Sequence, residues 1–553
     1  MANTARDLIK CRISNTPGTS GNFTLSTAFT NSLLPAAGDD GLAFKLNITE
    51  NGVGTEIRRN CTYTHSTTTF SRGTMVRSTG TADASLNFTS AAIVSVVPSA
   101  EDYRSADPGG QLVVAIGDSL QGDGVTTGSL GFSTLAKSGI NWGCALLKQA
   151  LWMPVGVTSS YSSGAPDLVN YCLAASGSTA QDVIEDQLGP AQALKADWWS
   201  VQCGTNDLTL LAGSTVAQIA ARLRTICETG LSSGSKIALW TIVPRNGAQW
   251  TAIESTITGA GSTIAKQKLK HMAVNNWIRR YAQETPGVVL IDPYHELVDP
   301  ASAAGEWLAA YTADGTHWNG AGAFVAGQVF ATAMRPFVKP VSLSSVSQLD
   351  IYDATDNISG DFAVTKGLQG STAASGTGMS GTWPTGWTVG MVSGAATCVG
   401  AVQARTDTVA TGVLANGREL ELAISTADAD SRLRAYQAAT GAVIPANTPF
   451  YAEAEVSVSA NTAAWRGPLL QMFFNDGTPA IYSGALVPDS SLPLGALFDA
   501  VIRTPVMQST AAAGGLIFTH MDLIASSAVT MKIRRISIRA VDPALPGLLL
   551  GAA

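Results

Sequence analysis

Three residue types in this 553-residue chain stand where they could carry acyl transfer: a serine, a histidine and an aspartate. Ser119 follows the apolar run Leu112-Val113-Val114-Ala115-Ile116 through Gly117-Asp118. A serine hydroxyl is a poor nucleophile at neutral pH. It needs a base within hydrogen-bond reach, and the base needs a carboxylate to fix its tautomer. Asp314-Gly315-Thr316-His317 puts a carboxylate and an imidazole three residues apart in one short loop. From there the carboxylate can reach Nδ1, which leaves Nε2 free to face Ser119. Two further segments, around Gly177 in Ala174-Ala175-Ser176-Gly177-Ser178 and in Gly204-Thr205-Asn206-Asp207, also follow apolar runs. The chain order is Ser, Asp, His. Ser119 lacks the G-x-S-x-G elbow, so the larger α/β-hydrolase pattern fits poorly.

Elements must bring these residues together. Apolar and β-branched runs predict buried strands at 112–116, 170–175, 198–203, 236–243 and 287–292. Helices are expected at 138–152, 179–188, 214–229, 262–284 and 320–335. Val274, Ile278 and Tyr281 mark one buried face of the fourth helix. Thr179 and Asp182 have the spacing of a capping box. Strands alternating with helices imply a parallel sheet covered on both faces, a flavodoxin-like three-layer α/β sandwich. In such a sheet all carboxyl ends share one edge, so Ser119, Gly177 and Asn206 converge on one cleft.

Gly117-Asp118-Ser119-Leu120, Gly177, Gly204-Thr205-Asn206-Asp207 and Asp314-Gly315-Thr316-His317 together, in this order, resemble the four motif blocks of the SGNH (GDSL) hydrolases. The resemblance covers roughly residues 110–338. It implies a catalytic triad of Ser119, Asp314 and His317. It also implies an oxyanion hole made by the backbone N–H groups of Ser119 and Gly177 and the side-chain amide of Asn206. Preorganised donors of this kind are worth about 3 kcal/mol each in a transition state.

The flanks read as β structure. Residues 1–105 carry a period-two pattern at Phe44, Leu46 and Ile48, a turn at Asn51-Gly52, and further short strands up to Val97. The succession of Phe44 to Gly52, Cys61-Thr62-Tyr63-Thr64, Thr69 to Arg72 and Leu86-Asn87-Phe88 resembles the N-terminal segment of bacteriophage tail-fibre and tail-spike proteins. Pro98 to Gly110 is a linker by composition. Residues 341–553 return to β: Tyr451 to Ser459 alternates, and Leu469–Phe474, Val501–Arg503 and Met531–Ile538 are further strands. Asn416-Gly417 and Asn475-Asp476-Gly477 mark turns between them. A β-sandwich, jelly-roll-like and similar to carbohydrate-binding sandwiches, is the expected outcome. The expected division is therefore 1–105, 106–340 and 341–553, the middle part being the hydrolase.

Other residues are weighed against blander roles. Trp142, Trp250, Trp318 and Arg245 are candidates for sugar or acyl contacts, although aromatic core positions give the same pattern. His65, His271, His295 and His520 lack a comparable partner and read as structural. Asp118 and Asp207 suit loop-holding hydrogen bonds. Seven scattered cysteines without C-x-x-C spacing give neither a disulfide framework nor a zinc site, and Cys172 and Cys203 read as small buried thiols. No metal and no cofactor is implied.

Hydrophobic content of 45% and charged content of 14% predict a substantial core. A net charge of −7 without a basic run argues against nucleic acid as a partner. No apolar stretch is long enough for membrane insertion, and the first residues show no signal-peptide pattern. The expected function is a serine esterase that removes O-acetyl groups from bacterial surface polysaccharide. The tail-fibre resemblance places it on the virion, acting at the host surface, with phage tail or baseplate proteins as partners and a homotrimer as its assembly. A non-catalytic binding fibre with a degenerate hydrolase fold, or a bacterial carbohydrate esterase of non-viral origin, are the competing expectations.

Overall fold

The structure is a computed structural model. It describes residues 10–28, 35, 40, 43–50, 53–78, 85–96, 111–122, 137–156, 169–209, 214–247, 264–338, 371–405, 418–426, 431–459, 465–475, 479–483, 498–508, 513–523, 528–542 and 545–548. The linker expected at 98–110, the turns at Asn51-Gly52 and Asn416-Gly417, and Trp250 lie outside these residues. The chain forms two compact units, Met1–Pro108 and Gly109–Ala553.

The second unit contains a five-stranded parallel sheet. Its strands are β1 (Gln111–Gly117), β2 (Leu151–Trp152), β3 (Trp198–Gln202), β4 (Lys236–Trp240) and β5 (Val288–Ile291), in the order β5-β4-β3-β1-β2. Every neighbouring pair is parallel. This is the 2-1-3-4-5 order of the flavodoxin-like layout. Its direction reverses between β1 and β3, which is where such sheets bind ligands. Helices Gly139–Leu146 (α1), Val216–Ser232 (α2), Ile264–Glu284 (α3) and Gly320–Met334 (α4) accompany the strands. Thr179 and Asp182 do close a capping box; the helical stretch that follows passes through one turn of π-helix over 183–187 before Leu188–Ala193.

Two expectations about these elements need correction. The helix expected over 138–152 stops at Leu146, because Lys148 and Gln149 turn into the left-handed region at φ 52° and 61°. The chain then reverses, and Leu151–Trp152 supplies the sheet's edge strand beside Gln111 and Leu112. Residues 170–175 are not a regular strand. They still follow β1: Ala115 N–H donates to Tyr171 O, Leu173 N–H to Ala115 O and Ala175 N–H to Gly117 O. The loop carrying Gly177 is therefore anchored to β1 without a full ladder.

Two more sheets follow in the same unit. One has eight strands, including Arg418–Thr426, Pro449–Val458, Phe498–Arg503 and Ala528–Ala540; the other has five, including Trp387–Ser393 and Ser431–Ile444. Pro449–Val458 alternates in sequence as if half-exposed, yet nine of its ten residues are buried. Its charged positions are covered: Glu455 pairs with Arg405 and Lys148, and Glu453 with Arg503 and Arg539. Lys148 belongs to the corner between α1 and β2, so this strand faces the parallel-sheet region and not solvent. One hydrophobic core runs through the unit, from Val113 to Val541.

Met1–Pro108 holds a seven-stranded sheet with a core of its own, formed by Cys11, Phe23, Leu46, Ile48, Tyr63, Phe70 and Phe88 among others. Glu56 is fully buried in it. Its carboxylate accepts from Arg58, Arg72 and the Leu86 N–H, so the buried charge is paired and hydrogen-bonded as burial requires. All seven cysteines are buried. Burial pushes the Cys144, Cys172, Cys227 and Cys398 thiols up to about 12, which leaves them unreactive at neutral pH.

Candidate active site

β1 ends on Gly117, and a glycine is demanded there. Its φ is +143°, and a Cβ would fall 1.8 Å from Gln202 O of the neighbouring strand. The chain then turns sharply into Ser119–Gly122. Asp118 holds the turn as expected, its Oδ1 accepting from Leu120 N–H at 3.0 Å. Gln121 pins the far end, donating to Ser200 Oγ at 2.9 Å, where Trp240 Nε1 also donates. The turn that carries Ser119 is thus closed by Asp118 and tied through Gln121 to β3.

His317 arrives from a different element. It lies just before α4, whose N-cap Asn319 accepts from Gly322 N–H. Its loop is tied internally: Thr312 Oγ1 donates to His317 O, and Gly315 N–H donates to Thr312 Oγ1. It is tied externally by Asn246 N–H, which donates to Gly315 O at 2.9 Å. Ser119 Oγ and His317 Nε2 are 2.8 Å apart, and His317 Nδ1 is 2.8 Å from Asp314 Oδ2. Asp314 Oδ1 also accepts the backbone N–H groups of Thr316 and His317. Burial pushes the Asp314 carboxyl up. The hydrogen bonds from His317 and the two backbone groups outweigh that and hold it below the usual carboxylate range. The carboxylate therefore stays charged and keeps the imidazole proton on Nδ1, so Nε2 can accept from the serine.

The remaining two motif blocks meet on the same rim. Asn206 follows β3, and its Nδ2 donates to Ser178 O at 2.9 Å, which joins the Asn206 and Gly177 loops. Asp207 strengthens the junction: Oδ2 accepts from Ala180 N–H at 2.7 Å, and Oδ1 from Arg222 at 3.0 Å. Asp207 therefore reaches across to a second loop and does not merely close its own turn. Gly177 has φ +83°, and a Cβ built on it meets nothing within 4 Å. The need for glycine there is conformational, not a matter of space for a close approach.

The candidate substrate contacts fare differently. Trp142 is 2% exposed and packs edge-on against Phe324 between α1 and α4. Trp318 is 4% exposed and donates Nε1 to Lys137 O. Both are core residues, which corrects the expectation of sugar or acyl contacts. Arg245 is 8% exposed and donates to Thr205 Oγ1 at 3.0 Å, so it braces the Asn206 loop. Burial pushes its guanidinium down, against the pull of the Asp118 and Asp314 charges. His271 is buried against Ile242 O, as a structural histidine should be. Among the described residues no group of three His, Cys, Asp or Glu side chains could hold a metal ion.

Sequence reasoning missed Gln187. Its Oε1 accepts from Gly117 N–H at 2.8 Å and its Nε2 donates to Gly117 O at 2.9 Å. A glutamine in a helical run carries no local signal of a backbone partner on a distant strand.

Residues 115–323 match the model of the GDSL-like Lipase/Acylhydrolase family. No curated protein matches the chain. Among solved structures, a GDSL-like lipase from Bacteroides thetaiotaomicron VPI-5482 is 13% identical, with a TM-score of 0.28 over 41% of this chain and 86% of that one. An acetyl-xylooligosaccharide esterase from Geobacillus Stearmophilus, solved as a mutant, is 17% identical, with a TM-score of 0.28 over 42% and 97%. A carbohydrate esterase family 3 protein from Talaromyces cellulolyticus is 16% identical, with a TM-score of 0.27 over 42% and 100%. Residues 115–323 are thus a GDSL-like hydrolase domain, of the GDSL/SGNH acylhydrolase and esterase family.

Proposed function

We propose that this domain is a serine esterase and that its substrate is an O-acetylated polysaccharide of a bacterial surface. One observation carries the hydrolytic part: the unbroken relay from Ser119 Oγ to His317 Nε2 to Asp314 Oδ2, 2.8 Å at each step. Ser119 Oγ attacks the ester carbonyl while its proton passes to His317 Nε2. The new oxyanion is received by the N–H groups of Ser119 and Gly177 and the amide of Asn206. His317 then protonates the departing sugar oxygen as its bond to carbon breaks. Water gives a proton to His317 and attacks the acyl-serine, acetate leaves, and the proton returns to Ser119 Oγ. Each proton has a carrier, and the cycle needs no cofactor.

The polysaccharide part rests on the tail-fibre resemblance of residues 44–88 and on the β structure that flanks the hydrolase domain. On this reading the protein belongs to a virion tail, attached through its N-terminal unit and assembled as a trimer. The intact relay speaks against a degenerate, purely binding fibre. Capsular and O-antigen preparations incubated with the protein should lose their acetyl signals in proton NMR. Ser119→Ala should slow that loss by up to about 10⁶-fold. Release of acetate by the alanine variant at the wild-type rate would end the serine mechanism; an active wild type that leaves every surface polysaccharide untouched would end the substrate assignment.

A further inference from the structure

We infer that Gln187 is a positioning residue for the nucleophile, which rests on the serine-esterase reading. Gly117 is the last residue of β1 and stands two before Ser119. Its N–H and C=O both face one side-chain amide, with Gln187 Oε1 accepting at 2.8 Å and Gln187 Nε2 donating at 2.9 Å. Nε2 also lies 3.5 Å from Ser178 Oγ, on the loop that carries Gly177. Gln187 is 4% exposed, so water competes little for these groups. One buried amide thereby grips the strand end that launches the nucleophile and touches the loop that supplies an oxyanion donor.

The need for such a grip follows from the sheet. At Gly117 the ladder to β3 ends at Gln202, and on the other side only the irregular segment up to Ala175 runs alongside. A side-chain amide has the donor and acceptor of a peptide group: Gln187 supplies the missing backbone partner of Gly117 N–H and shares Gly117 O with Ala175 N–H. The same device recurs past the end of β4. There Asn275 Oδ1 accepts from Ile242 N–H and Asn275 Nδ2 donates to Ile242 O, each at 2.8 Å. Ile242 leads to Asn246, which holds the His317 loop. Both amides thus fix backbone that aims a member of the relay.

The test uses the full chain, 4-nitrophenyl acetate as probe, and the variants Gln187→Leu and Gln187→Glu. Gln187→Leu keeps the volume and removes both bonds. Its kcat should fall about 10–100-fold with KM within twofold, because misplacing a reacting group by an ångström or less costs that much. Gln187→Glu separates positioning from packing. As a carboxylate it meets Gly117 O with a second acceptor; once protonated it regains a donor and an acceptor. Its kcat relative to wild type should therefore rise as pH falls, whereas a side chain that only fills space would give a flat ratio. A folded Gln187→Leu with wild-type kcat, or a flat ratio for Gln187→Glu, overturns the inference. Should the wild type hydrolyse no ester, the esterase reading fails by itself. The grip is then judged by amide hydrogen exchange over 115–121, where Gln187→Leu should exchange at least tenfold faster, and unchanged exchange overturns it.

Discussion

At the scale of residues, the site is a set of carboxylates and amides, each holding backbone or side-chain groups of a neighbouring segment. Asp314 is the case with the largest consequence for rate. It holds the Nδ1 tautomer and is itself held charged, below the usual carboxylate range, by His317 and two backbone N–H groups. The carboxylate therefore persists at pH values where a free aspartate would take up a proton, and its contribution is lost only as pH falls through that lowered value. Asp314→Asn keeps the shape but offers an amide where the ring N–H needs an acceptor. Its kcat should drop about 10⁴-fold with little change in KM or in melting temperature. Stopped assays of ester hydrolysis on the purified variant check this; a loss of less than tenfold would mean that the imidazole is oriented by something else.

At the scale of elements, the long helix α3 does more than cover the sheet. His271 and Asn275, one turn apart, both meet Ile242 just beyond β4. His271 is buried, with Arg245 and Arg279 nearby and Tyr294 edge-on to its ring. Burial, aided by the two cations, pushes its pKa down from the ordinary 6.5 to about 4. The sign follows from proton uptake. Between pH 6.5 and 4 the unfolded chain binds a proton that the folded chain refuses, so stability is full above that window and falls across it. The loss amounts to about 3 kcal/mol. Urea melts at pH 7.5 and pH 4.5 should show a smaller drop for His271→Gln than for wild type; equal drops would show that this histidine does not titrate on unfolding. The sequence marks His271 as structural, but its partner on the strand end and the two cations beside it were not legible there. What was legible was whatever repeats locally: apolar runs for β1, β3, β4 and β5, the helix over 320–335, and the order of the motif blocks. The two-residue strand β2 escaped because its signal lies in the left-handed turn at Lys148 and Gln149, residue types that do not announce one.

At the scale of the whole molecule, the parallel-sheet region and the C-terminal sheets are one body, joined by a shared apolar core with hydrogen bonds and an ion pair across it. Alternation of charge along Pro449–Val458 reads as a solvent face, yet Glu455 is 0% exposed. Its two oxygens take a bidentate pair from Arg405 at 2.9 and 3.0 Å, and Lys148 adds a third contact from the corner before β2. Around it Gln149 Nε2 donates to Val501 O, Val506 N–H to Val155 O, and Tyr171 Oη to Pro546 O. Each of these three bonds crosses from the hydrolase domain to the C-terminal region, and apolar packing of Trp152 on Tyr451 lies between them. Polar groups buried in this way stabilise little by forming but cost much when one partner is removed. Glu455→Gln would leave the Arg405 and Lys148 charges facing a neutral amide, a loss of about 3–5 kcal/mol. Spread over a unit of this size, with its large unfolding entropy, the loss lowers the melting temperature by roughly 4 °C. Since the two regions share a core, calorimetry of the wild type should resolve one transition for them and a separate one for Met1–Pro108. Glu455→Gln should move only the larger transition, and the kcat of the folded enzyme should stay as it was. A third transition, with the hydrolase domain melting independently of the C-terminal sheets, would refute the single body. Replacing Glu455 and Arg405 together by apolar side chains of similar volume should restore most of the lost stability, because the cost lies in the stranded charge and not in the absence of the pair.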